Sequence, residues 1–314
     1  MMTARTAFAL LILCGPFAGA AGPPVVPVDH HQHLLRAEMA GPGQAPIGAT
    51  ELIAMLNAAF IHRAVLLSNA FRYDDAARVR EENDWTAAEA AKFPQRLVAF
   101  CSFNPLKSYA LAELERCAAD PRFGRGIKLQ FGSSGVDLDN HEHVKQLRRV
   151  FAAANAHGLA LVVHLRTASR FKYGAAEAEV VLNQLLAAAP EVTVQIAHLA
   201  GGGGGAPDEQ AVDVLDVFTA ALARHDPRVK NLYFDVAGVA TPRSTPEEQA
   251  TLVRYIRTAG IGRVLYGSDG GDPTDPTPKD ALAAFRKLPL KSPELRAIEN
   301  NIAPYFRIPE RGKP

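Results

Sequence analysis

The segment Val25-Val26-Pro27-Val28-Asp29-His30-His31-Gln32-His33 decides between the two folds that the rest of the chain allows. It is an apolar run that ends at once in histidines. A doubly wound open sheet would carry a glycine-rich phosphate turn after its first strand, and imidazoles stand in that place. Outward from this segment, short runs rich in Val and Ile alternate with longer amphipathic stretches rich in Ala, Leu, Glu and Arg. Those residue preferences predict strands over 25–29, 62–67, 96–101, 125–130, 159–163, 192–197, 231–235 and 263–267. They predict helices near 50–59, 74–92, 108–119, 140–157, 175–189, 208–225, 246–259 and 278–287. Runs such as Leu159-Ala160-Leu161-Val162-Val163 are apolar on both faces, as parallel strands covered by helices must be. Parallel strands need helical, right-handed crossovers, and eight such units close into a single (β/α)8 (TIM) barrel with its chemistry at the C-terminal rim of the strands. No linker divides residues 21–314, which are read as one domain.

The chain has 314 residues, with 34 Lys+Arg against 33 Asp+Glu, so it lacks the basic footprint of a nucleic-acid binder. Residues 1–20 read as an export signal: Arg5 gives a basic start, Ala7 to Cys14 an apolar stretch, and Ala18-Gly19-Ala20 a small-residue end. The apolar run is well short of the roughly 20 residues needed to span a bilayer, so no membrane span is expected. The mature protein is expected to be periplasmic or secreted and close to neutral, since removing 1–20 takes away Arg5 and no acid. An oxidising compartment permits a bridge between Cys101 and Cys117, but Cys101 closes a strand-like run and Cys117 lies in a helical pattern, so two buried free thiols are the competing reading. No CxxC pair exists for cysteine–metal or thioredoxin-like chemistry.

His31 and His33 are two apart in extended chain, which points both imidazoles to one side, at the barrel mouth. Two adjacent neutral imidazoles suit zinc or a similar divalent ion, although His-X-His alone also occurs in polar loops. Three further polar residues end otherwise apolar strands: His164 the fifth, His198 the sixth and Asp269 the eighth. Burying such a set without metal or partners would be costly. Lys128, in Gly126-Ile127-Lys128-Leu129, faces either the pocket or a neighbouring carboxylate, because an internal lysine needs a partner. Arg36, Arg166 and Tyr173 follow strand ends. Arg166, two positions past His164, would favour a carboxylate or phosphate on the substrate if it reaches the mouth, and a loop acid otherwise. His141 and His143 read as the solvated start of a helix capped by Asp139 or Asn140. The glycines Gly201 to Gly205 are either a flexible rim loop or a surface insertion.

The Asp29-X-His31-X-His33 opening, Gly126-Ile127-Lys128-Leu129, His164, His198, Gly267-Ser268-Asp269 and the closing Asn300-Asn301-Ile302-Ala303-Pro304-Tyr305-Phe306 together resemble the amidohydrolase superfamily, in its amidohydrolase-related (amidohydrolase 2) branch. The resemblance runs from about Val25 to Ile308. It implies one divalent metal, often zinc, held by His31, His33, His164 and Asp269, with Asp269 also accepting a proton from the metal-bound water and His198 as an acid–base or orienting residue beside it. A bound metal lowers the pKa of its water to about 7, which makes hydroxide available at neutral pH. In some members of the wider superfamily the fourth-strand lysine is carbamylated and bridges two metals; here one metal is expected, with Lys128 and Arg166 lining the substrate pocket, and the binuclear site is the alternative.

The resemblance thus implies a metal-dependent hydrolase acting on a C–N or C–O bond of a small molecule. Non-oxidative decarboxylation of an aromatic or unsaturated carboxylic acid is the alternative within the same family. A non-catalytic exported binding protein is a third reading, although no two-lobed division is visible. A homodimer is compatible with the resemblance, but no interface can be read from the sequence.

Overall fold

The computed structural model describes residues 24–271 and 275–306; the expected export signal lies outside them. Eight strands follow the chain: β1 Val26–Gln32, β2 Ile61–Leu67, β3 Leu97–Ser102, β4 Phe123–Gln130, β5 Ala160–His164, β6 Val194–Ile196, β7 Leu232–Asp235 and β8 Val264–Leu265. Each pairs in parallel with the next, from β1 through to β8. The ring closes through backbone bonds from His30 N to Tyr266 O, Asp269 N to His31 O and His33 N to Gly270 O, at 2.9, 3.0 and 2.9 Å. The architecture is the (β/α)8 barrel that the alternation predicts.

The helices are α1 Ala49–Ala58, α2 Ala76–Ala91, α3 Ala110–Ala119, α4 Phe131–Ser134, α5 His141–Ala156, α6 Ala175–Val180, α7 Glu209–Ala223, α8 Pro246–Ala259, α9 Pro278–Phe285 and α10 Ser292–Asn300. Local chemistry starts several of them. Asp75 accepts from the first free amides of α2, Asn140 from those of α5, and Thr245 and Glu248 form a reciprocal cap on α8. Asn140 therefore confirms the reading of His141 and His143 as a helix start. The expected helix over 175–189 is regular only to Val180 and continues as a π turn and a 3₁₀ turn. Helices α4 and α10 were not anticipated.

A large apolar layer lies between the sheet and the helices, and a smaller one fills the barrel itself: Val28, Val65, Leu67, Phe100, Val162 and Phe306. Each such fully buried side chain stabilises the fold by about 1.5–3 kcal/mol relative to exposure. The Phe100 ring lies across the barrel where Gly124 and Gly126 have no side chain, and a Cβ added at either position would collide with it or with Val98. Below this layer the C-terminal segment closes the barrel's N-terminal end. Phe306 lies under the Arg63 guanidinium, at 4.2 Å, and Tyr305 packs edge-on against Phe100, at 5.2 Å. Asn301 fixes the segment by donating to Ile261 O and Val264 O, both at 2.7 Å.

Cys101 on β3 and Cys117 on α3 form a disulfide, so the reading of two free thiols does not hold. Helix α3 turns Ala110, Glu113, Leu114 and Cys117 inward. Its docking brings the two Cα atoms to 6.3 Å, within bridging range. Among the described residues no helix is long and apolar enough to cross a membrane.

Candidate metal centre

Strand β1 runs to Gln32, so His31 is held by strand pairing and His33 follows directly. Their ring centroids are 5.3 Å apart. Close approach of β8 to this strand needs Gly267, where an added Cβ would fall 2.8 Å from the His31 Cβ. Just beyond, Asp269 adopts φ 59°, a left-handed conformation that Asp tolerates better than most residues. The kink turns its carboxylate toward the histidines. The Asp269 Oδ1 lies 3.3 Å from His31 Nε2 and 3.9 Å from His33 Nε2. These three residues could hold a metal ion.

The opposite edge of each ring is already engaged. His31 Nδ1 donates to the carboxylate of Asp235, at 3.0 Å, and His33 Nδ1 donates to Leu67 O, at 2.7 Å. With Nδ1 carrying the proton, each Nε2 presents its lone pair to the site. That is the outer support expected of metal-binding imidazoles, which are oriented by a carboxylate or carbonyl behind them. Burial pushes the pKa of His31, His33 and His164 downward, and Lys128 adds to the effect, so all three rings are held neutral. Burial opposes ionisation of Asp269, but the surrounding histidines and Lys128 outweigh it and keep the carboxylate below its usual range. A neutral-imidazole and carboxylate donor set fits a divalent ion.

His198 and the two residues after it all have positive φ, 56°, 47° and 62°. This left-handed run, rare outside glycine, turns the chain sharply off β6. The turn is held by His198 N donating to Asp235 Oδ1 at 2.8 Å, His198 Nδ1 donating to Ala237 O at 2.8 Å and Tyr173 Oη donating to Ala200 O at 2.5 Å. The His198 ring lies 4.7 Å from both His31 and His164, centroid to centroid. His164, at the end of β5, packs against His198 and is not one of the three residues whose ligand atoms converge at Asp269. Lys128 on β4 is buried, with Nζ 3.2 Å from His31 Nε2, and burial lowers its pKa to about 8.

These groups line a cavity of about 140 Å³ at the C-terminal rim, with His33, Lys128, His164, His198 and Asp269 in its wall. Gly202 also lines it, and a Cβ on Gly203 would lie 3.5 Å from Asp269 Oδ2, so the glycine run is a rim loop beside the site. Arg166 does not line the cavity. It pairs with Asp208, at 2.7 Å, which also caps α7, and it lies over Tyr173. Arg36 is likewise taken by Glu81 and Glu82. The guanidinium in the cavity wall belongs to Arg72, in the turn after β2, with Asp275 lining the same cavity. Sequence reasoning missed Arg72. It also missed Asp235, although Asp235 ends an apolar strand just as Asp269 does.

The fold and rim thus define a barrel enzyme with a metal-ready group of histidines and an aspartate. The family model described as amidohydrolase matches residues 28–299, and the chain belongs to that family, whose members are metal-dependent enzymes. No curated protein matches it. Among solved structures it is similar to a 2,6-dihydroxybenzoate decarboxylase from Rhizobium, at 16% identity over 88% of this chain and 97% of that one, with a TM-score of 0.60. It is similar to a probable 2-pyrone-4,6-dicarboxylic acid hydrolase from Acinetobacter baumannii with citric acid bound, at 17% identity over 87% and 96%, TM-score 0.59. A 5-carboxyvanillate decarboxylase from Novosphingobium aromaticivorans, complexed with manganese and a nitrobenzoic acid, is 15% identical over 88% and 94%, TM-score 0.56. At such identities these likenesses establish the shared barrel.

Proposed function

We propose that the protein is an exported, metal-dependent hydrolase that cleaves a C–N or C–O bond in a small, carboxylate-bearing substrate. The observation that carries this reading is the convergence of His31 Nε2 and His33 Nε2 on Asp269 Oδ1 with both Nδ1 atoms tied back. A divalent ion, most simply one zinc, would be held by His31, His33 and Asp269 with His164 approaching from β5, and when bound it would supply Lewis acidity and acidify water. Asp269, ionised and at the cavity wall, accepts the proton that the attacking water releases. His198 has Nδ1 committed to Ala237 O, which leaves Nε2 free to orient the electrophile or carry a proton to the leaving group. Arg72 and Lys128, both in the cavity wall, provide positive charge for a substrate carboxylate. Export rests on the basic-apolar-small order of residues 1–20, and the Cys101–Cys117 bridge supports it, because such bridges persist in oxidising compartments.

Decarboxylation of an aromatic acid is the second reading. It is favoured by the same cationic wall and by neighbours that act on dihydroxybenzoate and carboxyvanillate. The test is elemental analysis of mature protein purified without chelator, followed by turnover assays on lactones, amides, esters and aromatic acids. About one divalent ion per chain with hydrolytic turnover supports the first reading, and carbon dioxide release supports the second. About two ions would promote Lys128 to a carbamylated bridging ligand. Protein that takes up no metal, even on reconstitution, overturns both.

A further inference from the structure

A buried line of hydrogen bonds crosses the barrel from its closed end to its rim. Tyr305 Oη donates to Gln195 Oε1 at 2.5 Å, Gln195 Nε2 donates to Asp235 Oδ2 at 2.7 Å, and His31 Nδ1 donates to the same Oδ2 at 3.0 Å. Gln195, Asp235 and His31 are completely buried, so water does not replace any of these partners. Tyr305 enters from the segment after α10, which plugs the end of the barrel opposite the chemistry and lines a separate cavity of about 460 Å³ there.

The chemistry of the groups fixes the direction of every bond. An ionised Asp235 only accepts, so Gln195 must turn its amide NH₂ toward it and its carbonyl away. The carbonyl is held in that direction by the Tyr305 hydroxyl. Were the amide to flip, its oxygen would face the carboxylate, Asp235 would lose a donor, and the grip on His31 Nδ1 would slacken. We infer that Tyr305, at the far end of the barrel, is a positioning residue for the metal-facing lone pair of His31, acting through Gln195 and Asp235. The inference rests on the metal reading proposed above.

Full-length mature protein would be stripped of metal and titrated with Co²⁺, following its visible d–d absorption, and with Zn²⁺ against a chromophoric chelator. Tyr305→Phe removes the hydroxyl and keeps the ring that packs on Phe100. It is expected to weaken metal affinity by roughly tenfold, the low end of what outer partners of metal ligands contribute, and to alter the Co²⁺ band. Gln195→Met should weaken it at least as much, and the double variant no further than Gln195→Met alone, because both act on one line. Phe306→Leu disturbs the same plug without touching the line, so it should lower the melting temperature and leave affinity and spectrum as in the wild type. Unchanged affinity and spectrum in Tyr305→Phe, or losses that add in the double variant, would overturn the inference. Wild-type protein that binds neither ion would instead overturn the metal reading, and the inference with it.

Discussion

Asp235 and His31 lie 204 positions apart in the chain, at the ends of β7 and β1, and the carboxylate of one accepts the Nδ1 proton of the other at 3.0 Å. The same carboxylate anchors the His198 backbone, at 2.8 Å. One buried acid therefore orients the His31 ring and fixes the backbone that carries the His198 ring. Burial works against its charge, and the donors around it, His31 foremost, outweigh that and hold it ionised.

Asp235→Asn keeps the shape but loses the charge, and its amide can present a donor where His31 needs an acceptor. Metal affinity is expected to fall by about 10- to 100-fold. Chelator competition on the purified variant measures this directly, and a wild-type affinity would remove Asp235 from any role in holding the site.

Arg72 and Arg166 make a paired test of how the substrate is held. Loss of a charge-assisted bond to a substrate costs about 1.5–3 kcal/mol, so Arg72→Met should raise KM for a carboxylate substrate by roughly tenfold or more. An uncharged analogue should show little change. Arg166→Met breaks only a half-exposed pair with Asp208 and should leave KM within about twofold. The reverse ranking would return the substrate contact to Arg166.

The disulfide closes a loop with a sequence separation of 16. Chain-entropy reasoning gives about 3 kcal/mol for a loop of that size. Cys101→Ala/Cys117→Ala should therefore melt lower by on the order of 5 °C. Reduction of the wild type should reproduce most of that drop in calorimetry; two equally stable forms would contradict it.

Glu82 on α2 is buried, with Oε1 unpaired among the described residues and Oε2 3.5 Å from Arg36. Burial raises its pKa from 4.5 to about 6, with Arg36 offsetting part of the effect. A carboxyl that ionises less readily when folded contributes stability that is full below pH 4.5 and lost as the pH rises through about 6. Glu82→Gln should accordingly be more stable than the wild type at pH 7 by about 1–2 kcal/mol. That advantage should shrink toward zero near pH 4.5 in denaturant titrations. A constant gap across the range would assign the effect to packing instead.

The barrel was legible because β-branched residues concentrate in its strands and polar residues end them. His31, His33, His164, His198 and Asp269 could all be found by that rule. Asp235 obeys it too, after Asn231-Leu232-Tyr233-Phe234, with no histidine beside it to mark it. Arg72 was not legible, since it lies in an irregular turn whose direction depends on packing. Arg166 carried the stronger local signal, two residues past His164, but the cap of α7 supplies an acid that strand periodicity does not reveal. The cysteine pair depended on how α3 docks against β3, which spacing alone leaves open. Tyr305 and Gln195 are 110 positions apart and meet because the segment after α10 folds back beneath the barrel.

Phe100 fills the room that Gly126 leaves, two residues before Lys128. A side chain gained at 126 has nowhere to go until position 100 has become smaller, and a smaller residue at 100 leaves a void until 126 grows. Descendants of this sequence can exchange that bulk between β3 and β4 only in one order, through an intermediate with a hollow barrel. The history of the two positions is therefore directional, and a lineage that carries glycine at 126 is expected to keep its aromatic ring at 100.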